Sequence, residues 1–216
     1  MRLQINLDKN SVKKSIFEAF LYLLSVHKYE DITVYEIVEH AYVSRVTFYK
    51  YFKNKDALLA EVINRLQEEF RMLLKWDTDL LNQFSMSRKK DVYIILYPYT
   101  YRILDYFRSK QKLINRLCKM NHQNLDFIEV MHKTYHDYFV QVLPEPFYAA
   151  LDDSTIEYYS LFMTNGVFSI IEKWFKANFE ESIDDVIDKI LVLLITNLSA
   201  LYLEVESQAK KDPQDN

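Results

Sequence analysis

Apolar side chains at Val12, Ile16, Ala19, Phe20 and Leu23 recur three and four residues apart. That is the spacing of one helix face, and it predicts a first helix from Asn10 as N-cap to near Lys28. Thr33-Val34-Tyr35-Glu36 is a capping box: the Thr hydroxyl takes a backbone N–H and Glu36 reaches back. The short helix it opens runs to about His40. After the break Ala41-Tyr42-Val43, Ser44 is placed to cap a third helix through about Phe52. Asn54 can cap a fourth, with Leu59, Ile63, Leu66, Phe70 and Leu73 as its apolar stripe. Beyond residue 76 the pattern predicts helices over 89–108, 110–119, 121–142, 153–178 and 183–207. Pro144 and Pro146 mark one connection, and Ser182 followed by Asp185 marks the last start.

Composition points the same way. One Gly and four Pro in 216 residues leave little of the turn chemistry that sheets need. The expected fold is all-α: a three-helix unit over 1–55, with the fourth helix from 54 as connector. A larger helical bundle follows over 56–209, and a polar tail over 210–216. The single cysteine, Cys118, suits a reducing compartment. No N-terminal apolar run resembles a signal peptide. The longest unbroken apolar stretch, Ile190 to Ile195, falls far short of the roughly 20 residues that span a bilayer. A cytoplasmic protein without membrane contact is expected.

The net charge of −4 looks unfavourable for a nucleic-acid partner, but it is unevenly spread. Residues 1–56 hold nine Lys/Arg against seven Asp/Glu, hence +2, which leaves −6 for the rest. Arg45, Lys50, Lys53 and Lys55 stand together without an acid among them. A local basic strip matters more for phosphate binding than the total.

Winding residues 45–52 at about 100° per residue separates two faces. Phe48, Tyr51 and Phe52 gather on one and can anchor the helix. Arg45, Val46, Tyr49 and Lys50 point the other way. An outward Arg can donate two hydrogen bonds to guanine, and Val can contact a thymine methyl. Tyr, Thr and Lys can reach phosphate oxygens. Thr33 and Lys55 each lie at a helix N-terminus, where backbone N–H groups favour an anion.

The stretch Thr33 to Leu59, T-V-Y-E-I-V-E-H-A-Y-V-S-R-V-T-F-Y-K-Y-F-K-N-K-D-A-L-L, resembles the DNA-binding signature of the tetracycline-repressor (TetR) family. Thr33, Ala41, Val43, Ser44, Thr47, Tyr49, Tyr51-Phe52, Lys55 and Leu58-Leu59 fall where that signature expects them. Tyr42 departs from it by replacing a turn glycine, and Val46 by replacing a frequent glycine of the recognition helix. The resemblance implies a homodimeric repressor of a palindromic DNA site, released by a small-molecule effector. It places Arg45 and Val46 at base-reading positions, and Thr33, Ser44, Thr47, Tyr49, Lys50 and Lys55 on the DNA backbone. Tyr42 implies a turn that either avoids a positive φ or is strained.

The segment Asn165 to Phe175 looks like the start of the family's dimer-forming helix pair. Independently, 153–178 and 183–207 carry wide apolar stripes, which one chain or a second copy could cover. Gly166 would permit close helix approach. Aromatic residues crowd the middle of the chain, from Phe84 to Phe139. Tyr93, Tyr97, Tyr101, Phe127, Tyr135 and Phe162 are candidates to wall an effector pocket, with ordinary core as the alternative.

Cys118/His122 and His132/His136 are each four apart, as metal-ligating helical pairs can be, but no third ligand stands at a diagnostic spacing. No metal or other cofactor is expected. There is no Gly-rich phosphate loop, no G-x-S-x-G elbow and no H-E-x-x-H, so no enzyme is expected. The competing function is a protein-interaction co-regulator of the same fold that has lost or weakened operator binding.

Overall fold

The structure, a computed structural model, describes residues 9–75, 89–120, 125–142 and 151–209. The expected features at Phe84, His122, Pro144, Pro146 and the tail 210–216 lie outside these. The described residues form nine α-helices and no strand: α1 Lys9–Val26, α2 Val34–His40, α3 Arg45–Tyr51, α4 Lys55–Leu74 and α5 Lys89–Ser109. They continue with α6 Gln111–Leu117, α7 Phe127–Val142, α8 Asp153–Lys176 and α9 Ile183–Ala209.

Two compact units share these helices. The first comprises residues 1–68 with 112–127, and the second 69–111 with 128–216. In the first, Ile16, Phe20, Leu23 and Leu24 of α1 are buried with Ile37 and Val38 of α2 and Phe48 of α3. Leu58, Leu59, Val62 and Ile63 of α4 complete that core. The chain brings α6 to this unit, burying Ile114 and Leu117, and Arg116 donates to the Val26 carbonyl at the end of α1 at 3.3 Å. Lys13 pairs with Glu61 at 2.9 Å, which holds the Glu61 carboxyl below its ordinary range.

The second unit is built around α5, α7, α8, α9 and the last turn of α4. Its centre is a column of rings: Phe70 on Phe107 at 5.2 Å, Phe107 on Phe175 at 5.1 Å, and Phe175 on Phe179 at 5.2 Å. Such pairs add to the burial of large apolar surface. α8 ends in a Schellman motif. Asn178 N–H donates to the Phe175 carbonyl and Phe179 N–H to that of Trp174. Asn178 and Phe179 both have positive φ, 55° and 60°. The Phe179 ring is buried against Trp174 at 4.6 Å, so the turn is held by packing. Ser182 then caps α9 by accepting from Asp185 N–H at 3.1 Å.

Candidate nucleic-acid interface

The two short helices of the first unit owe their positions to their caps. Thr33 Oγ1 accepts from Glu36 N–H at 3.2 Å, while Thr33 N–H donates to Glu36 Oε2 at 2.8 Å. The Thr33 hydroxyl also donates to Glu36 Oε2 at 2.9 Å, and the backbone and hydroxyl bonds from Thr33 hold the Glu36 carboxyl below its ordinary range. Ser44 Oγ accepts from Thr47 N–H at 3.0 Å and bonds the Thr47 hydroxyl at 2.8 Å. Seven residues would not hold a helix alone. α3 is held by Phe48, fully buried, and by Phe52 just past its end, whose ring lies 5.8 Å from that of Phe48. Tyr51 is half-buried beside them.

Arg45, Val46, Tyr49 and Lys50 are exposed, with Val46 at 69% and Tyr49 at 50%. Ser44 is exposed and Thr47 half-exposed at the same end of the helix. The arrangement presents a guanidinium, an ammonium, a phenol and an aliphatic group from one rigid helix turn. Such a set can contact base edges in a major groove and the phosphates beside it.

Lys55 is placed differently. Its Nζ donates to the carbonyls of Tyr29 and Ile32 at 2.6 and 2.7 Å and sits over the Tyr29 ring at 4.1 Å. Burial lowers its pKa, against the pull of Asp56 and nearby acids. Burial pushes the Tyr29 phenol upward, and the bond its hydroxyl donates to Asp56 adds to the shift. Two of three ammonium hydrogens are therefore engaged inside the unit. Sequence reasoning saw a basic residue at a helix start and missed Tyr29 and Asp56, because nothing local announces that pairing.

Tyr42 resolves the alternative its position posed. Its φ is 55°, and the bonds from Tyr42 N–H to the Glu39 carbonyl and from Val43 N–H to that of Val38 close a Schellman motif on α2. That site favours glycine, and a side chain there costs about 1–2 kcal/mol.

Five of the six aromatic candidates for an effector pocket lie in the second unit, and Phe127 lies in the first. Tyr93, Tyr97 and Tyr101 form a ladder along α5, with ring separations of 5.9 and 6.3 Å. The Tyr93 hydroxyl donates to Asp188, and that of Tyr97 to Asp184 at 2.5 Å. The Tyr97 phenol is pushed up to about 12 by that bond. Phe127 is buried in the first unit, Tyr135 stands 6.3 Å from Phe139 in the second, and Phe162 is 63% exposed. Among the described residues no three His, Cys, Asp or Glu side chains converge as metal ligands.

The second unit also presents exposed apolar side chains. Tyr158, Leu161 and Phe162 of α8 and Val192, Leu193 and Leu203 of α9 are all exposed. A groove between them is lined by Phe162, Met163, Gly166, Val167, Ile170, Leu193, Leu194 and Asn197. A Cβ built on Gly166 meets nothing within 4 Å, so no neighbour in this chain demands that glycine.

A capped helix-turn-helix with an outward polar face, followed by a helical bundle, defines a DNA-binding transcriptional regulator. The signature described as "Bacterial regulatory proteins, tetR family" matches residues 16–62, and that described as "Transcriptional regulator C-terminal region" matches residues 96–196. The chain belongs to the TetR family. No curated protein matches it by sequence. Among solved structures it is similar to "Dihydroxyacetone kinase operon activator DhaS", with 19% identity over 88% of this chain and 97% of that one, and a TM-score of 0.60. It also resembles a TetR regulator from Streptococcus agalactiae (21% identity, 86% and 94% covered, TM-score 0.58). The regulator FadR from Bacillus subtilis, solved with stearoyl-CoA, matches at 16% identity (85% and 98% covered, TM-score 0.61). At these identities the likeness is one of fold.

Proposed function

We propose that this protein is a homodimeric repressor that binds a palindromic operator and leaves it when a small-molecule effector occupies the helical unit. The observation that carries the reading is α3: one face is locked into the core by Phe48 while Arg45, Val46, Tyr49 and Lys50 are exposed on the other. In this reading Arg45 and Val46 contact bases. Thr33, Ser44, Thr47, Tyr49 and Lys50 position the helix on the phosphates, and Lys55 does so chiefly by holding Tyr29 and Ile32 in place. The protein has no enzymatic role, and it acts in the cytoplasm, where the DNA is.

The dimer rests on the exposed face of α8 and α9. Residues Ile183–Leu203 are long and apolar enough to cross a membrane, with a mean hydropathy of 1.8, and 44% of that window is buried inside the chain. A second copy accounts for the exposed remainder, since two such faces make a four-helix bundle and Gly166 lets the partner helix approach. Asp184 and Asp188 in that same helix accept hydrogen bonds from α5, an arrangement for water rather than lipid. The FadR structure with stearoyl-CoA shows a regulator of this fold holding a ligand, which supports an effector here without naming it.

Selection of bound fragments from random duplex DNA at physiological salt tests the reading. The expected result is one enriched palindrome whose half-sites lie about one helical turn apart. Absence of any enriched sequence, with recovery of a protein partner instead, would overturn it.

A further inference from the structure

Among the described residues two bulky aromatics, Tyr42 and Phe179, hold a left-handed backbone, and their surroundings differ sharply. Phe179, at φ 60°, has its ring buried against Trp174 and Phe175, so packing compensates the strained turn. Tyr42, at φ 55°, is 94% exposed, and its ring gains almost no packing inside the chain. The conformation is forced on it by the Schellman bonds to Glu39 and Val38, which would form equally well around glycine or asparagine. A side chain kept at such a position without internal support points to a contact outside the chain. Tyr42 stands two residues before Ser44, the cap of the recognition helix, and three before Arg45. Within residues 33–55 the exposed large hydrophobic side chains are Tyr35, Tyr42, Val46 and Tyr49, and Tyr42 is the most exposed of them.

We propose that Tyr42 is an additional DNA-binding residue, its phenol hydroxyl donating a hydrogen bond to a backbone phosphate beside the groove that α3 enters. The inference rests on the operator-binding reading. A phenol is neutral, so the bond strengthens binding on every sequence without releasing a counterion. Tyr42 therefore differs from Arg45, whose loss should relax base preference, and from Lys50, whose loss should flatten the salt dependence.

The test uses the full chain, the palindrome recovered by selection and a random duplex of equal length. Dissociation constants are measured across a salt series for wild type and for Tyr42→Phe, Tyr42→Asn and Tyr42→Gly. Tyr42→Phe should weaken binding about ten-fold on both duplexes, as loss of one hydrogen bond to a charged acceptor does, with an unchanged salt slope. Tyr42→Gly and Tyr42→Asn should weaken it at least as much while raising the melting temperature, because the turn is relieved. Unchanged affinity of Tyr42→Phe overturns the proposal, and so does a loss confined to the palindrome, which would mean base reading. If wild type binds no duplex, the operator reading falls and this inference with it. If wild type binds and Arg45→Ala weakens it while Tyr42→Phe does not, this inference falls alone.

Discussion

Lys55 and Tyr29 are joined twice: the ammonium donates to the Tyr29 carbonyl at 2.6 Å and lies 4.1 Å from the centre of the Tyr29 ring. With the bond to Ile32, this ties the short turn after α1 to the start of α4, and α2 begins one residue beyond Thr33.

Lys55→Met should therefore destabilise the protein by about 2 kcal/mol, the scale of losing hydrogen bonds made by a charged group that is partly solvated. Operator affinity should fall in step with stability while the salt slope stays as in wild type. Thermal melts beside a salt titration check this. A slope flattened by about one unit in the folded variant would instead assign Lys55 to a phosphate.

Arg45→Ala should cost about 1–3 kcal/mol on the cognate operator and relax preference at one base pair of each half-site. Arg45 is an exposed residue, so the melting temperature should hold. Competition binding with operators altered at single positions makes the comparison, and an equal loss on every sequence would remove Arg45 from base reading.

Phe162→Glu or Leu193→Glu should leave each chain folded, since both side chains are more than half exposed. Sedimentation should then show monomers, and affinity for the full palindrome should drop toward that of a single half-site, because the two units would no longer bind as one. A dimer that survives both substitutions would place the interface elsewhere.

Stability should decline on the acid side through His132. Burial holds its imidazole below the usual histidine range, His136 adds to the shift, and Glu172 opposes it. The Nε2 atoms of His132 and His136 are both buried without a hydrogen-bond partner. A lowered folded-state value means that the unfolded chain takes up the proton first, so stability is lost as pH falls through about 6.5. His132→Gln should melt with a shallower dependence than wild type between about pH 7.5 and 5.5. Parallel curves would show that this group does not set the acid limit.

The local architecture is written in the chain order alone. Caps at Thr33, Ser44 and Ser182 each close a bond across three residues, and the 3.6-residue period divides α3 into a buried and an outward face; both are short-range properties of the chain. The capped helix starts, the recognition helix and the departure at Tyr42 were legible for that reason, whereas the helix expected over 121–142 starts only at Phe127. What each side chain meets across long separations was set by the packing of the folded chain. It turned Lys55 inward onto backbone some 25 residues away, gave Tyr42 its left-handed φ and drew α6 into the first unit. It also spread six aromatics, alike in sequence, between a tyrosine ladder, two cores and an exposed face. Helical periodicity tells which residues share a face, but the partner of that face is chosen by packing between segments far apart in the chain.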